Sequence, residues 1–440
     1  MRLYYIFCLL LRYPVFYIRK KTIYNMLKSD WNKETKFHVE FNKRALNNVL
    51  NKALKTTYYK NLKEINVLSE DIKLSDFPIV DKTIIRNHVG EFEQTNWFLP
   101  RKKMNTGGST GKPFEFYLSQ ELEFEFSHQL FFYKRFGYQY GDKIYSFDGI
   151  RIDDDKQELN IYWIKRSLIR NFPFGLVRLS ATLLNSQNCK FYVEKILIDK
   201  PSFLRGYPSA LSIISSYILN HSLQKEFDFL KGIMLTSERI LETQVDLVRS
   251  AFNCPVLPQY GMSEVCAFAF TNPNDLKYYC SPFYGFTEVL DENNSQVNKG
   301  EIGEVVVTSF CNTFQPFIRY RTGDLAEFGG VENGFTILNK IFGRSQDYIV
   351  DREGKKIMLV GLIFGSHLKA FRKIKTWQIK QSVPGEISVR IDADNGWIVE
   401  FEDELKDILC CEAKIEVQII YNNNFELTDS GKRLFVIQSL

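Results

Sequence analysis

Residues 104 to 113 read MNTGGSTGKP, a run of small and hydroxyl-bearing side chains that ends in a lysine and a proline. Its three glycines let backbone N–H groups approach an anion closely, and the hydroxyl groups and the lysine add further donors. The candidate anion-binding residues are Thr106, Gly107, Gly108, Ser109, Thr110, Gly111 and Lys112. This chemistry suits a triphosphate, and the alternative is a flexible surface loop.

The spacing within this loop excludes a Walker phosphate-binding loop of the form GxxxxGK[ST]. Only three residues separate Gly107 from Gly111, and Pro113 stands where a Walker loop has its magnesium-binding serine or threonine. A nucleotide-binding protein with this loop must therefore be of another kind.

Four more polar segments follow in order: LTSERI at 235–240, QYGMSE at 259–264, YRTGDL at 320–325 and GRSQDYI at 343–349. Five such segments in one order are hard to obtain by chance. In this order they make the chain resemble the adenylate-forming superfamily, which includes acyl-CoA ligases, luciferases and nonribosomal adenylation domains. Within it the chain looks most like the branch of phenylacetate-CoA ligases and CapK-like capsular polysaccharide biosynthesis proteins.

The resemblance implies a reaction in two steps with ATP and Mg²⁺. A substrate carboxylate attacks the α-phosphate of ATP and releases pyrophosphate, and a second nucleophile then displaces AMP from the acyl adenylate. Cations and oriented donors are needed because two anions must be brought together. The loop at 105 to 112 would hold the β- and γ-phosphates, with Lys112 in a supporting role.

The resemblance also implies the roles of single residues. Glu264 matches the carboxylate that helps to hold magnesium, and Ser263 matches a hydroxyl that contacts phosphate. Asp324 matches the acceptor of the ribose hydroxyls, for which the alternative is a turn-forming aspartate after glycine. Lys432, in the DSGKR segment, matches the catalytic lysine that bridges the carboxylate and the α-phosphate. The other residues implied for ATP binding are Tyr260 and Gly261 against adenine, Ser237 and Glu238 beside the base, and Arg344 near the hinge.

Composition is typical of a folded globular enzyme. Hydrophobic residues make up 45% and charged residues 25% of the 440 residues. The 57 basic and 52 acidic residues give a net charge of +5, and no long basic block is present. Nucleic acid is therefore not an expected partner.

The eight cysteines form no CxxC pair, which favours reduced, mostly buried thiols and a cytoplasmic location. They are Cys8, Cys189, Cys254, Cys266, Cys280, Cys311, Cys410 and Cys411. Zinc binding by the four between 254 and 311 is the alternative, but their spacing matches no standard zinc finger and no histidine lies between them.

The N-terminal residues 1–21 are apolar and aromatic, but they are too short to span a membrane. The uncharged stretch of residues 3–11 ends at Arg12, well below the roughly 20 residues of a spanning helix. We expect a first helix that packs on the protein. The alternative is peripheral contact with the inner membrane through aromatic residues flanked by basic ones.

Alternating helical and strand patterns predict an α/β fold. We expect a helix over 119–136, in which His128 is a packed histidine, and a buried strand over 302–309. The resemblance implies a large domain of stacked β-sheets and helices over 1–342, which binds ATP and the acyl group, and a small mobile domain over 343–440. In the latter, period-two patterns predict strands at 386–392 and 414–420, and an acidic first turn predicts a helix at 401–410, so this domain is α+β.

The sequence leaves the acceptor and the acid open. Gln346 stands where many family members have Asp or Lys two residues after the hinge arginine, and Asp347 follows it. The stretch after the hinge lacks the RG dipeptide that CoA ligases have near their pantetheine tunnel. We therefore expect transfer either to an amine, such as an amino sugar, or to CoA. Tyr207, Pro208, Phe268 and Phe270 line an acyl pocket or fill the core, and the core is the simpler interpretation. A phenylacetate-type CoA ligase, a noncatalytic nucleotide-binding relative and a membrane-associated scaffold are the rival interpretations.

Overall fold

The computed structural model describes most of the chain between residue 24 and the C-terminus. The described residues are 24–25, 27–28, 35–62, 72–95, 101–106, 114–119, 123–139, 141–165, 177–272, 275–344, 348–358, 374–393, 402–403, 406, 415–421, 425–427 and 433–440. The N-terminal segment 1–21 and its predicted helix lie outside them.

Helices and strands alternate through the described residues, so the predicted α/β class is confirmed. The α-helices are α1 (Thr35–Ala53), α2 (Thr57–Lys60), α3 (Lys82–Asn87), α4 (Glu123–Arg135), α5 (Asp154–Glu158), α6 (Cys189–Asp199), α7 (Pro208–Asn220) and α8 (Glu242–Phe252). Short 3-10 helices cover Leu74–Asp76, Val89–Phe92 and Gln224–Phe227.

The strands are numbered in the same way. They are β1 (Arg101–Thr106), β2 (Phe114–Ser119), β3 (Ile144–Asp148), β4 (Trp163–Lys165), β5 (Val177–Ser180), β6 (Phe203–Gly206), β7 (Gly232–Leu235), β8 (Val256–Gly261), β9 (Phe268–Asn272) and β10 (Asp275–Cys280). They continue with β11 (Gly285–Leu290), β12 (Ile302–Ser309), β13 (Tyr320–Glu332), β14 (Phe335–Arg344), β15 (Tyr348–Val350), β16 (Lys356–Met358), β17 (Ile374–Val383), β18 (Glu386–Ala393), β19 (Glu416–Tyr421) and β20 (Val436–Gln438).

The chain forms two units, each made of several segments. The first unit contains Met1–Asp142, Leu168–Pro173 and Gln259–Ile341, and the second contains Lys143–Ser167, Phe174–Pro258 and Phe342–Leu440. Domains over 1–342 and 343–440 stay a prediction.

The first unit is built on antiparallel strands in the spatial order β11, β12, β13, β14, β10, β9 and the last residues of β8. Its most apolar strand is β12, in which Val305, Val306 and Val307 are fully buried, as expected for β-branched residues between neighbours. The strand predicted over 302–309 is confirmed.

In the second unit, strands β3, β5, β6, β7 and the first residues of β8 are parallel, and β4 pairs antiparallel with β5. Helix α7 contacts α6 and α8 and buries Leu211, Ile214 and Ile218. The carboxyl ends of parallel strands commonly carry ligand sites. The turn that follows β7 at this edge contains Ser237 and Glu238.

The C-terminal part of the second unit contains a four-stranded sheet in the order β19, β18, β17, β20. Strand β18 buries Ile387, Val389 and Ile391 and leaves Ser388 and Arg390 between them partly exposed, so the predicted alternation is confirmed. The helix predicted over 401–410 lies mostly outside the described residues.

Two expectations for helix α4 can be compared with the structure. The helix begins at Glu123, and the predicted start at Ser119 was wrong because Ser119 pairs with Arg101 in the β1–β2 hairpin. His128 is buried, as predicted, and its Nε2 lies 3.0 Å from Ser281 Oγ. None of the helices among the described residues is long and apolar enough to cross a bilayer.

Candidate functional site

The glycine-rich loop connects two antiparallel strands. Strands β1 and β2 pair along their whole length, and Thr106 lies opposite Phe114 at the end of the ladder. In sequence, the predicted phosphate-binding residues after Thr106 therefore lie between the paired strands β1 and β2. Gly107, Gly108, Ser109, Thr110, Gly111 and Lys112 themselves lie outside the described residues.

Two buried amide side chains hold strand β2 of this hairpin. Gln315 Oε1 accepts a hydrogen bond from the Tyr117 N–H at 2.7 Å, and Asn312 Nδ2 donates to the Tyr117 carbonyl at 2.8 Å. Asn312 Oδ1 also accepts from the Ser119 N–H at 3.2 Å. Both amide residues are 1% exposed, so the hydrogen bonds that position strand β2 are buried. Sequence analysis missed them, although a polar NTFQ segment that follows a buried strand was a usable signal.

Two of the predicted motifs are joined by hydrogen bonds in the first unit. Tyr260 donates its hydroxyl proton to Asp324 Oδ2 at 2.8 Å, and Tyr320 donates to Glu264 Oε1 at 3.0 Å. The first pair links the start of QYGMSE to the end of YRTGDL, and the second links the end of QYGMSE to the start of YRTGDL. The structure thus brings the predicted adenine, ribose and magnesium residues of these motifs together.

Asp324 lies at an irregularity in strand β13. The register between β12 and β13 shifts in the stretch opposite residues 304 to 306, and Gly323 has φ +79°. The Asp324 N–H donates to Thr322 Oγ1 at 3.0 Å, and the Thr322 hydroxyl donates to the Val305 carbonyl at 2.8 Å. Irregularities of this kind redirect side chains next to active sites. Here the irregularity sets the backbone at Asp324, and the Tyr260 hydroxyl holds its carboxylate.

Glu264 is a buried carboxylate with a cation beside it. The residue is only 4% exposed, and Lys82 Nζ lies 3.3 Å from its Oε1. A buried carboxylate needs a charge partner and hydrogen bonds, and Lys82 and Tyr320 provide them on the same oxygen. Its other oxygen, Oε2, accepts no hydrogen bond from the residues that the structure describes.

The turn that carries Glu264 is held in a strained conformation. Val265 has φ +56°, which is rare for a β-branched residue and costs about 1 to 3 kcal/mol. The Val265 carbonyl accepts a hydrogen bond from Ser309 Oγ at 2.7 Å, and the Cys266 thiol donates to the Glu264 carbonyl at 3.3 Å. Strain that surrounding contacts maintain is typical of functional turns.

Lys82 was missed by sequence analysis. It is the first residue of helix α3, and Asp81 caps that helix by accepting the N–H groups of Thr83 and Ile84, both at 2.8 Å. The cap fixes where the helix starts and therefore where Lys82 lies. The signal was a helix start of the form Asp-Lys-Thr, which carried no functional role by itself.

The remaining predicted residues of QYGMSE are accessible. Ser263 is exposed in the turn after β8, and Gly261 is exposed at the end of that strand. The phosphate contact of Ser263 and the adenine contact of Gly261 stay predictions.

Two predicted residues of the second unit lie in the turn after β7. Ser237 is exposed and has φ +72°, in the left-handed region. The Glu238 carboxylate accepts hydrogen bonds from the Ser209 N–H at 3.1 Å, the Ser209 hydroxyl at 2.9 Å and the Arg433 N–H at 2.9 Å. Arg344 is exposed at the end of β14. The predicted catalytic residue Lys432 lies outside the described residues, as do Gln346 and Asp347.

All four residues assigned to an acyl pocket or to the core, Tyr207, Pro208, Phe268 and Phe270, are buried, and burial raises the pKa of Tyr207 to about 12. Helix α4 adds a buried contact that sequence analysis missed. The hydroxyl of Tyr284 donates to Glu125 Oε2 at 2.5 Å, and burial, followed by the Glu125 charge, raises the pKa of Tyr284.

A magnesium ion is compatible with the residues around Glu264. The described residues contain no group of three or more His, Cys, Asp or Glu side chains that could hold a metal. Magnesium commonly takes one or two carboxylates together with substrate phosphates and water. One carboxylate with an uncommitted oxygen therefore fits a Mg²⁺ ion that arrives with a nucleotide.

Comparison with known proteins agrees with the sequence resemblance. No protein-family model matches the chain. Protein CapK of Staphylococcus aureus is 27% identical over 435 residues, which cover 96% of this chain and 88% of CapK. A crystal structure of 2-hydroxyisobutyryl-CoA ligase in the postadenylation state with R3-HIB-AMP has a TM-score of 0.63 and 18% identity, and covers 92% of this chain and 89% of the ligase.

The acyl acid amido synthetase GH3.15 is also similar in structure. Its TM-score is 0.59 at 16% identity, with 91% of this chain and 89% of the synthetase covered. The chain therefore has the fold of adenylate-forming ligases and is similar to CapK over most of its length. The predicted resemblance is confirmed.

Proposed function

We propose that the chain is an ATP-dependent ligase that converts a carboxylic acid and ATP into an acyl adenylate and pyrophosphate. The observation that carries this proposal is the pair of hydrogen bonds, Tyr260 to Asp324 and Tyr320 to Glu264. They join two motifs that are separated by more than fifty residues of sequence, and they place an aromatic ring, two carboxylates and the Lys82 cation in one region of the first unit.

In the first step, a carboxylate oxygen of the acid attacks the α-phosphorus, and the bond to the β-phosphate oxygen breaks. Pyrophosphate leaves with the electron pair of that bond. The chain contributes hydrogen-bond donors and cations that stabilise the charge on the phosphates. The residues assigned to this task are the glycine-rich loop with Thr106 and Lys112, Ser263 and the missed residue Lys82.

The nucleoside is held by different groups. Asp324 accepts hydrogen bonds from the ribose hydroxyls, Tyr260 lies against the adenine, and Gly261 leaves room beside it. Ser237 borders the base, and Arg344 donates to ribose or phosphate oxygens. Lys432 supplies a cation to the α-phosphate and to the attacking carboxylate during adenylation. Glu264 would hold Mg²⁺, which neutralises phosphate charge when it is bound.

In the second step, an acceptor attacks the acyl carbonyl and AMP leaves. The similarity to CapK supports a role in capsular or surface polysaccharide biosynthesis. An amine, such as an amino sugar, is the first candidate acceptor, because the structurally similar GH3.15 is an amido synthetase. CoA is the second candidate acceptor, because a similar ligase has been crystallised with an adenylate and CoA. An enzyme that consumes ATP would act in the cytoplasm, with the N-terminal residues 1–21 as a candidate contact with the inner membrane.

The test is a screen of carboxylic acids for exchange of labelled pyrophosphate into ATP in the presence of magnesium. Each acid is assayed alone, with CoA and with amino sugars, and AMP and ADP are measured separately. We expect exchange with at least one acid and faster AMP release with the true acceptor. ADP without AMP would contradict adenylate formation, and ATP binding without exchange for any acid would favour a noncatalytic nucleotide-binding protein.

A further inference from the structure

The Glu238 carboxylate connects two segments of the second unit that are far apart in sequence. It accepts hydrogen bonds from the N–H and hydroxyl groups of Ser209 in the first turn of α7, and from the backbone N–H of Arg433. A carboxylate at the start of a helix is favoured by the partial positive charge there. The bond to Arg433, 195 residues away, is not needed to cap that helix.

The segment 433–435 is held from two sides. On one side, Gln378 of β17 donates its Nε2 protons to the carbonyls of Leu434 at 2.8 Å and Glu426 at 2.9 Å. On the other side, Glu238 accepts the Arg433 N–H. These contacts fix the backbone at the residue that follows Lys432.

A second contact joins the same turn to the same segment. The guanidinium of Arg239 lies 5.0 Å from the ring centre of Phe435, within the range of a cation–π interaction. Ser237 directly precedes Glu238 and Arg239 in this turn and has φ +72°, a conformation that is uncommon for a residue other than glycine. Glu238 and Arg239, two consecutive residues of this constrained turn, therefore both contact segment 433–435.

We infer that Glu238 is a positioning residue for adenylate formation, because it holds the backbone N–H of Arg433, the residue bonded to Lys432. The inference rests on the proposed function in one respect only, the role of Lys432 in the first step. It assigns the Glu238 carboxylate to the protein backbone and not to the adenine base. It therefore predicts that loss of this carboxylate slows the first step without weakening ATP binding.

The first measurement does not require activity. Hydrogen exchange is followed at the Arg433 amide and in strand β7 for the full chain and for Glu238→Ala, Glu238→Gln and Glu194→Ala. Glu194 is an exposed carboxylate on α6 of the same unit and serves as the matched control. We expect the Arg433 amide of Glu238→Ala to exchange roughly tenfold faster, since it loses a charged acceptor. Exchange in β7 should not change.

The second measurement separates the two steps in single turnovers. In Glu238→Ala, pyrophosphate release should slow about tenfold, while ATP affinity and acyl transfer from a supplied adenylate stay normal. Glu238→Gln keeps an acceptor oxygen and should recover part of the rate and of the protection at Arg433. Lys432→Ala is the reference for complete loss of the lysine.

The outcomes distinguish the inference from the proposed function. Unchanged exchange at Arg433 in both Glu238 variants would overturn the inference, and so would weaker ATP binding with normal Arg433 protection. If exchange in β7 also rises in Glu238→Ala, Glu238→Gln is used for the comparison in its place. Normal adenylation by Glu238→Gln together with lost protection of the Arg433 amide would then overturn the inference. If the unmodified chain forms no adenylate with any acid, the proposed function fails, and this failure is visible without any Glu238 variant.

Discussion

Glu264 shows how a single residue can be predicted from sequence while its surroundings cannot. The QYGMSE motif identified the carboxylate, but its burial creates a need for partners that lie elsewhere in the chain. Tyr320 meets this need from a second motif, and Lys82 meets it from the start of a helix about 180 residues earlier. The Lys82 cation therefore lowers the free energy that is needed to bury the Glu264 carboxylate.

Lys82→Met should destabilise the protein because it leaves the buried Glu264 carboxylate without its cation. Since Lys82 itself is partly exposed, we expect the free energy of unfolding to fall by about 1 to 3 kcal/mol. Lys82→Arg should lose less, because it keeps the charge. The measurement is urea unfolding, with the exposed Lys43→Met on α1 as the control. Equal stability of Lys82→Met and Lys43→Met would mean that water already screens the pair.

Asp324→Ala should weaken ATP binding, because the ribose hydroxyls lose their acceptor. The expected loss is about 1.5 to 3 kcal/mol, the range for hydrogen bonds to a charged group. Tyr260→Phe is the matched variant, because it removes the hydroxyl that donates to Asp324 and keeps the carboxylate. It should weaken binding less. Calorimetric titration with ATP and thermal unfolding provide the two readouts, and a lower melting temperature with unchanged ATP affinity would make Asp324 a turn residue only.

At the residue scale, sequence analysis found the groups that occur in short motifs and missed those that act through distant contacts. Tyr260, Glu264 and Asp324 were identified from their motifs, and the structure brings them together. Lys82 and Asn312 belong to no motif, and only the folded chain places them beside Glu264 and strand β2. Polar residues of this kind look like surface residues until their burial is known.

At the scale of elements, the turn that carries Glu264 packs tightly on strand β11. A Cβ atom added at Gly285 would lie 2.6 Å from the Cys266 carbonyl oxygen and 2.8 Å from the Thr308 carbonyl oxygen. Both are backbone atoms, so neither can move without shifting a strand or the turn itself. Glycine at 285 therefore allows the turn to approach the sheet.

Gly285→Ala should destabilise the first unit by about 1 to 3 kcal/mol, the usual cost of overpacking. It should also weaken ATP binding, because the displaced turn carries Glu264. Gly90→Ala is the control, since the Cβ it would add meets nothing within 4 Å among the described residues beyond its adjacent backbone. Denaturant unfolding and ATP titration test both parts. Normal ATP binding by a destabilised Gly285→Ala would show that the turn keeps its position when the strand moves.

Helices and strands were predicted correctly where a pattern of neighbouring residues defines them. They were predicted poorly where pairing with a distant strand sets their ends. The β-branched run of β12 and the alternation in β18 identified both strands from neighbouring residues alone. The start of α4 was misplaced because the pairing of Ser119 with Arg101 depends on strand β1. A helical pattern cannot show that its first residues are needed in a hairpin.

At the scale of the whole molecule, the chain passes repeatedly between the two units. Two of the passages lie inside single strands, β8 between Pro258 and Gln259 and β14 between Ile341 and Phe342. No sequence pattern marks these passages, because a strand that serves two units has the same local composition as any other. The sequence predicted one boundary near 343 and did not predict a first unit assembled from separated segments.

The reactivity of buried cysteines during unfolding shows whether the two units unfold together. Cys266 and Cys280 lie in the first unit, and Cys189 and Cys254 lie in the second. Burial raises the pKa of Cys189, Cys254 and Cys280 to about 12 and that of Cys266 well above its usual value. At pH 8 these groups are therefore neutral thiols in the folded protein, and modification requires the thiolate that unfolding exposes.

As the urea concentration increases, we expect all four thiols to become reactive toward a thiol reagent over the same range of concentration. Strands β8 and β14 each contain residues of both units. When one unit unfolds, it therefore disrupts two strands that continue into the other unit. Disruption of shared strands should make unfolding cooperative. The measurement is mass mapping of alkylated cysteines over a urea series at pH 8. Modification of Cys189 and Cys254 at a lower urea concentration than Cys266 and Cys280 would instead show that the first unit stays folded after the second has unfolded.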